Sequence, residues 1–495
     1  MAQEQHGIMN HRTRTRELGT RPHPRRDFLR WLALGASGVA LWPGTPEVRA
    51  AGKKPPNVVF LLADDQRFDT IHALGNGDIS TPALDSLCGR GTAFTRAHIM
   101  GGTQPAVCVP SRAMLLTGRN LFSLEDTGNT IPEGHTTMPE AFRAAGYRTC
   151  GIGKWHNGPA SYARGFTDGA QIYFGGMAYH FHLATHDFDP EGKYPQSAAS
   201  VRGGHSSELL SKAAADFLRN RGDDSPFFLY VAYLAPHDPR TAPPEYAARY
   251  RPEDIPLPQN FAVEHPFDNG ELKIRDELLA PFPRTPEAVR RHIADYYAMI
   301  THLDAQLAKV IQALEDTGQR DNTIIVFSGD NGLALGQHGL MGKQNLYECS
   351  VRVPLLMSGP GVESGACRDT LCCLQDLFPT LCQLAGVAVP PSVEGTSLAG
   401  ALSNEKERVR DHVFYAYKDI QRGVCDGHWK LLEYAVGGTR TTQLFDLETD
   451  PFEMNNLVGD AAHGEQLLRM RALLRKSQEE VHDPQASAFG EAVKP

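Results

Sequence analysis

Six short segments of the chain carry side chains able to do polar chemistry. They are Asp64-Asp65, Cys108-x-Pro110-x-Arg112, Lys154-Trp155-His156, His237, Asp330-Asn331 and Lys343. The oxygen donors Asp64, Asp65, Asp330 and Asn331 suit a hard cation such as Ca2+ or Mg2+; a softer metal would call for cysteine or histidine ligands. Lysines hold anionic oxygens as point charges, and histidines move protons near neutral pH. Taken singly, each segment has an ordinary structural reading. An Asp pair after a strand commonly makes a turn or a helix cap, Asp330-Asn331-Gly332 can form a tight turn unaided, and a lone cysteine is usually a buried thiol.

What gives them weight is the set of elements that must position them. From Pro56 onward, short β-branched or aromatic runs alternate with helical stretches, which predicts an α/β fold around a large, mostly parallel sheet sandwiched by helices. Strands are expected at 57–63, 149–152, 227–233, 323–328 and 353–358, near-continuously apolar as suits strands covered on both faces. In such sheets the ligand crevice lies beyond the carboxyl ends of the strands. Asp64-Asp65, Lys154 and His156, His237, and Asp330-Asn331 each follow one of these strands, which puts carboxylates, histidines and a lysine along one edge. Ile293, Tyr297, Ile300, Leu303, Leu307, Val310, Ile311 and Leu314 recur at helical spacing and predict an amphipathic helix over 293–315. Residues 235–290, rich in proline and polar residues, read as surface loops. After Gly386 the character changes. Strands at 413–417, 429–434 and 443–446 and a helix at 465–481 predict a smaller antiparallel sheet with a terminal helix. The expected division is 1–50, 51–388 (catalytic) and 389–495 (small sheet).

The chain has 495 residues and a formal charge of −9, which argues against a nucleic-acid-binding surface. Its nine cysteines form neither a zinc pattern nor the disulfide framework of a small secreted domain. The vicinal Cys372-Cys373 falls in an apolar stretch read as helical packing. Residues 1–50 carry Arg25-Arg26-Asp27-Phe28-Leu29, an apolar run over 31–42 and a small-residue exit at Val48-Arg49-Ala50-Ala51. This resembles a twin-arginine export signal, implying the twin-arginine export machinery as a partner and a periplasmic or extracellular destination. The apolar run is shorter than the ~20 residues a membrane span needs, so no stable membrane span is expected.

The segment Cys108-Val109-Pro110-Ser111-Arg112, continuing to Thr117-Gly118-Arg119, resembles the signature of type I sulfatases of the alkaline phosphatase-like superfamily. Ala63-Asp64-Asp65-Gln66, Gly153-Lys154-Trp155-His156, Pro236-His237, Gly329-Asp330-Asn331-Gly332, His338 to Lys343 and Leu444 to Pro451 extend the likeness in the same order. The resemblance implies a sulfuric ester hydrolase in which a separate formylglycine-generating enzyme oxidises Cys108. In that family the hydrated formylglycine attacks sulfur and the sulfated adduct then collapses to the aldehyde, a form of covalent catalysis. It further implies that Asp64, Asp65, Asp330, Asn331 and the modified Cys108 hold the cation, and that Arg112 orients the formylglycine. Lys154 and Lys343 would grip the sulfate, His156 would serve as the base for collapse, and His237 or Lys343 would assist the leaving alkoxide. Carbohydrate sulfates are the leading substrate expectation. The loops 168–205 and 235–290 and Arg422 would shape the pocket, with His180, His182 and His186 on an exposed loop lining it. Two other readings stand beside this one: a phosphonate monoester or phosphodiester hydrolase of the same superfamily, and an exported binding protein with unconverted Cys108.

Overall fold

The strand Asn57–Ala63 explains why the main sheet is covered on both faces. Val58, Phe60 and Leu62 enter one apolar core and Val59, Leu61 and Ala63 the other, all with no exposed surface. Side chains alternate across a strand, so an unbroken apolar run needs a partner layer on each side. The computed structural model supplies those layers across residues 54–490, which are the residues described here. The expectation for residues 1–50 lies outside them. Among the described residues, no helix is long and apolar enough to cross a membrane.

Nine strands make the large sheet. Thr323–Gly329, Asn57–Ala63, Phe227–Ala232, Arg148–Lys154 and Asp168–Tyr173 run parallel in that spatial order. Arg352–Ser358 lies antiparallel between Thr323–Gly329 and Thr92–His98, and the short strands Ala366–Arg368 and Cys372–Cys373 pair with Thr92–His98. One face packs on the helix Cys108–Thr117 through Ala113, Leu115 and Leu116, and on Leu377–Ala385 through Leu377, Phe378 and Leu381. The other packs on Ser206–Arg219 and on the long helix Pro286–Asp316, which gives it Met299, Leu303, Leu307 and Val310. That helix starts seven residues ahead of the periodic apolar stretch. Thr285 caps it by accepting a hydrogen bond from the Ala288 amide, and Pro286 occupies the first helical position, where no amide donor is needed.

A second, five-stranded sheet follows the order Thr439–Asp446, Trp429–Val436, Gln421–Cys425, Val413–Tyr417, Gly101–Gly102. The last pair is parallel, and it ties the small sheet to the segment that leads into Cys108. The terminal helix runs Gly464–Glu480.

Several expectations need correction. Asp168–Tyr173 is an edge strand that the pattern hid, because Asp-Gly-Ala-Gln is poor strand sequence and only Ile172 is buried. Thr92–His98 and Gln421–Cys425 are further strands not anticipated. Cys372-Cys373 is buried but extended, not helical. The 235–290 segment is not merely surface loop: His265, Asn269, Glu271, Glu277 and Arg284 are buried, with Arg284 paired to Glu277.

Candidate active site

Four of the polar segments, Asp64-Asp65, Lys154 to His156, His237 and Asp330-Asn331, leave their strands at the same sheet edge, and backbone hydrogen bonds lock exits together. The Asp64 amide donates to Ala235 O at 3.1 Å and the Asp330 amide to Ala63 O at 3.1 Å. Asp65 then turns with φ 65°, a left-handed conformation that costs a non-glycine residue about 1–3 kcal/mol and persists only when the surroundings enforce it. Here they do. Its amide donates to Asp330 Oδ1 at 3.0 Å, and Tyr296 of the long helix donates to its carbonyl at 2.5 Å.

Cys108 opens the fully buried helix Cys108–Thr117, at the end where the helix dipole favours negative charge. Its Sγ lies 3.4 Å from His156 Nδ1 and 3.8 Å from Lys154 Nζ. One turn along, Arg112 Nε donates to Asp330 Oδ2 at 2.8 Å and its Nη1 to Lys154 O at 3.0 Å. Ser111 donates from Oγ to the Asp330 carbonyl. Lys154 Nζ donates to Asp64 Oδ2 at 2.5 Å, and Lys343 Nζ to Asp65 Oδ1 at 2.6 Å. Asn331 Nδ2 donates to the same Asp65 oxygen at 2.7 Å. His237 completes the ring, with Nε2 3.6 Å from Asp65 Oδ2 and Nδ1 2.8 Å from Asp238 O. The structure thus gathers all ten residues expected from the sequence into one buried cluster: Asp64, Asp65, Cys108, Arg112, Lys154, His156, His237, Asp330, Asn331 and Lys343.

The oxygen donors suit a hard cation. Asp64 Oδ1 and Asn331 Oδ1 are buried without any hydrogen-bond partner, which is costly for polar atoms unless something else satisfies them. Ligand atoms of Asp64, Cys108 and Asp330 lie within 4.8 Å of one another, as do those of Asp64, Asp65 and His237. This donor set is what a Ca2+ or Mg2+ ion would use.

Charge placement separates the groups. Burial pushes Asp64 upward, but Lys154, His237, Arg112 and Lys343 outweigh it and hold the carboxyl well below its usual range. Burial, with Asp64 close by, raises Asp330 to about 6. Burial followed by the repulsion of Lys154 and Arg112 lowers His156 to about 2, so its imidazole is neutral at physiological pH. Burial raises the Cys108 thiol. Lys343 stays charged, since Asp65, Cys108 and Asp276 overcome its desolvation.

Three residues around this cluster, Gly176, Glu277 and Tyr296, escaped the sequence reading, and His180 was read only as part of an exposed loop. Gly176 accepts from Lys154 Nζ at 2.5 Å through its carbonyl, and a Cβ there would stand 3.1 Å from His156 Nε2. Glu277 receives the amides of Met341 and Gly342 at 2.9 and 2.8 Å and so fixes the loop that carries Lys343. Tyr296 holds Asp65, and His180 donates from Nε2 to the His237 carbonyl at 3.0 Å. Adjacent glycines at 175–176 were the one local signal, because a glycine pair after a strand often marks close approach. Gly153 belongs to the same logic: its φ is 88° and a Cβ would stand 2.1 Å from Ala232 O. Two expectations fail. Arg422 is buried and spent on Asp483, at 2.7 and 2.9 Å, rather than free to shape the pocket. Of the three loop histidines only His182 is exposed, while His180 and His186 are buried.

The sulfatase family model matches residues 56–387, and a model for the C-terminal part of N-sulphoglucosamine sulphohydrolase matches residues 336–480. An N-acetylglucosamine-6-O-sulfatase of Bacteroides thetaiotaomicron is 26% identical over 503 aligned positions, covering 87% of each chain. A solved structure in complex with its substrate, D-glucosamine-2-N,6-O-disulfate, superposes with a TM-score of 0.71 at 24% identity, over 88% of this chain and 99% of that one. The phosphonate monoester hydrolase of Agrobacterium radiobacter gives 0.67 at 25% identity, over 84% and 96%. The chain belongs to the sulfatase family: it is a sulfuric ester hydrolase of the type I, alkaline phosphatase-like fold.

Proposed function

We propose that this enzyme hydrolyses carbohydrate sulfate monoesters, with Cys108 converted to formylglycine by a separate maturation enzyme. In the same reading, Asp64, Asp65, Asp330, Asn331 and the modified Cys108 hold one Ca2+, or Mg2+ in its place. Residues 51–388 form the catalytic part, 389–495 the small-sheet subdomain, and residues 1–50 direct twin-arginine export to the periplasm or beyond. The observation that carries the reaction is the position of Cys108 Sγ, 3.4 Å from a neutral His156 and 3.8 Å from Lys154, at the head of a buried helix. The sugar preference is supported by the N-acetylglucosamine-6-O-sulfatase relative.

When in place, the formylglycine hydrate supplies the attacking hydroxyl, and the cation lowers its pKa and screens the sulfate oxygens. The chain's own groups do the rest. Lys154 is held on Asp64 and Lys343 on Asp65, where their ammonium groups can meet the anionic oxygens of a sulfate. Arg112 fixes Asp330 and the Lys154 backbone, keeping both in register with residue 108. His156 accepts a proton at Nδ1. His237 hydrogen-bonds the Asp238 carbonyl through Nδ1, so its Nε2 faces the cluster, and in the imidazolium form Nε2 carries a second proton that can pass to the departing alcohol oxygen. The net change breaks the S–O bond of the ester, consumes one water and releases alcohol and sulfate.

The test is sulfate release from N-acetylglucosamine 6-sulfate and 4-nitrophenyl sulfate by protein co-expressed with a formylglycine-generating enzyme, beside an aryl phosphonate. Cys108→Ala should abolish release while leaving the fold intact. Phosphonate turnover exceeding sulfate turnover would favour the second reading, which the phosphonate monoester hydrolase likeness supports. Wild-type protein with verified formylglycine that cleaves neither would overturn both.

A further inference from the structure

The turn that carries Asp65 is bridged by one side chain from a distant helix. Tyr296, on Pro286–Asp316, donates its phenol proton to the Asp65 carbonyl at 2.5 Å and accepts the Arg67 amide at 2.9 Å. A phenol has one proton to give and an amide can only donate, so these two bonds fix the direction of the hydroxyl. The bridge is shielded from water: Tyr296 has no exposed surface and Asp65 only 2%. Losing that one oxygen would leave a buried carbonyl and a buried amide without partners.

The bridge falls where the backbone needs support. Asp65 is held at φ 65°, a left-handed conformation that a residue with a Cβ leaves unless its neighbours enforce it. A return to negative φ would swing the Cβ and carry the carboxylate away from its partners. In place, Asp65 Oδ1 receives Lys343 Nζ at 2.6 Å and Asn331 Nδ2 at 2.7 Å. The bond from Asn331 spends its nitrogen and leaves its Oδ1 buried without a partner, the condition of Asp64 Oδ1 as well. The conformation of Asp65 therefore also orients a second oxygen donor.

The Tyr296 ring adds another hold. It belongs to the apolar cluster that contains Leu333, Leu335 and Met341, residues that lie close in the chain to Asn331 and Lys343. One side chain thus ties Asp65, and the segments that bring both partners of its Oδ1, to the long helix. Its neighbour Tyr297 makes the contrast: that hydroxyl accepts from Asn76 Nδ2 at 3.1 Å, outside the cluster of ten.

We infer that Tyr296 is a positioning residue for the cation: its hydroxyl holds Asp65 in the backbone conformation that keeps the carboxylate beside Asp64, and so sets the affinity of the site for Ca2+ or Mg2+. This rests on the cation reading above and adds a residue outside the donor set. Tyr296 acts through Asp65 and meets neither the cation nor the sulfate.

The experiment measures Ca2+ and Mg2+ binding by titration calorimetry to the matured full chain after chelator treatment, without turnover. Tyr296→Phe removes one oxygen and should weaken binding by roughly 10-fold, the scale expected when a buried hydrogen bond that holds the binding conformation is lost. Its turnover should be low at cation concentrations that saturate wild type and should recover as the cation is raised. Tyr297→Phe removes a phenol oxygen from the same helical turn and should bind the cation as wild type does. Replacing Tyr296 by 4-aminophenylalanine keeps a weaker donor in place and should give an intermediate affinity. That variant decides the matter if Tyr296→Phe fails to fold, since wild-type affinity in it would overturn the inference. An unchanged dissociation constant in folded Tyr296→Phe overturns it too, as does an equal loss in Tyr297→Phe, the mark of a helix loosened in general. A wild type that binds neither cation rejects the cation reading itself and the inference with it, an outcome distinct from a wild type that binds and a Tyr296→Phe that binds equally.

Discussion

Two buried arginines, Arg112 at the sheet edge and Arg422 in the small sheet, show how the same side chain serves chemistry in one region and architecture in the other. Arg422 is saturated: Asp483 takes its Nε and Nη2 at 2.7 and 2.9 Å, and the carbonyls of Lys418 and Gln421 take Nη1 at 2.7 and 2.8 Å. Asp483 is in turn braced by Gln478 at 2.8 Å. Arg112 is not saturated. Its Nη2 has no hydrogen-bond partner and lies 3.7 Å from Asp64 Oδ2, whose other oxygen is also free. A closed network rigidifies, whereas an open one keeps capacity for a cation and an anionic substrate at a standing cost in stability.

Breaking the open network should remove rate before it removes structure. His156→Ala is expected to lower kcat by about 10²–10⁴-fold, the usual worth of a positioned proton acceptor, with little change in circular dichroism. Wild-type turnover in that variant would exclude His156 from proton transfer. Breaking the closed network should do the reverse. Asp483→Ala strands a buried Arg422 and is expected to destabilise by about 3–5 kcal/mol, read by urea unfolding, while the folded fraction keeps its kcat/KM.

Acid should sharpen the same contrast from the scaffold behind His237. His180 is lowered to about 4 and His205 to about 2, both chiefly by burial, and their rings stack 4.9 Å apart. Their unfolded pKa is near 6.5, so the unfolded chain binds more protons and stability falls as pH drops. The loss should begin near pH 6.5 and continue through about pH 4. His205→Gln should flatten the decline between pH 6.5 and 4 in a thermal unfolding series. The smallest effect belongs to the surface. Lys212→Ala removes an exposed i,i+4 pair with Asp216 and should change stability by less than about 0.5 kcal/mol.

The contrast also marks where sequence reading succeeds. Asp64, Lys154, His237 and Asp330 were legible because each follows a strand whose apolar run announces a two-faced core, and that fixes the edge on which they emerge. Arg422 was misread for the opposite reason. Arg422 itself lies in an unforeseen strand. Its partner lies 61 residues away beyond two further strands and a helix, and no local pattern encodes that pairing. Tyr296 and Tyr297 make the same point on one helix. Periodicity put Tyr297 on the apolar face, yet Tyr296 is the one fully buried and reaching Asp65.

By itself the amino-acid sequence determined the α/β class, the order of the central strands along the chain, and the residue types delivered to the sheet edge. These follow from periodicity and from chain neighbours, which are local properties. Only the tertiary structure decided that Lys154 faces Asp64 while Lys343 faces Asp65, and that Gly176 backs His156. Those outcomes depend on close packing between segments tens to hundreds of residues apart, where half an ångström decides whether a polar atom is satisfied or left open.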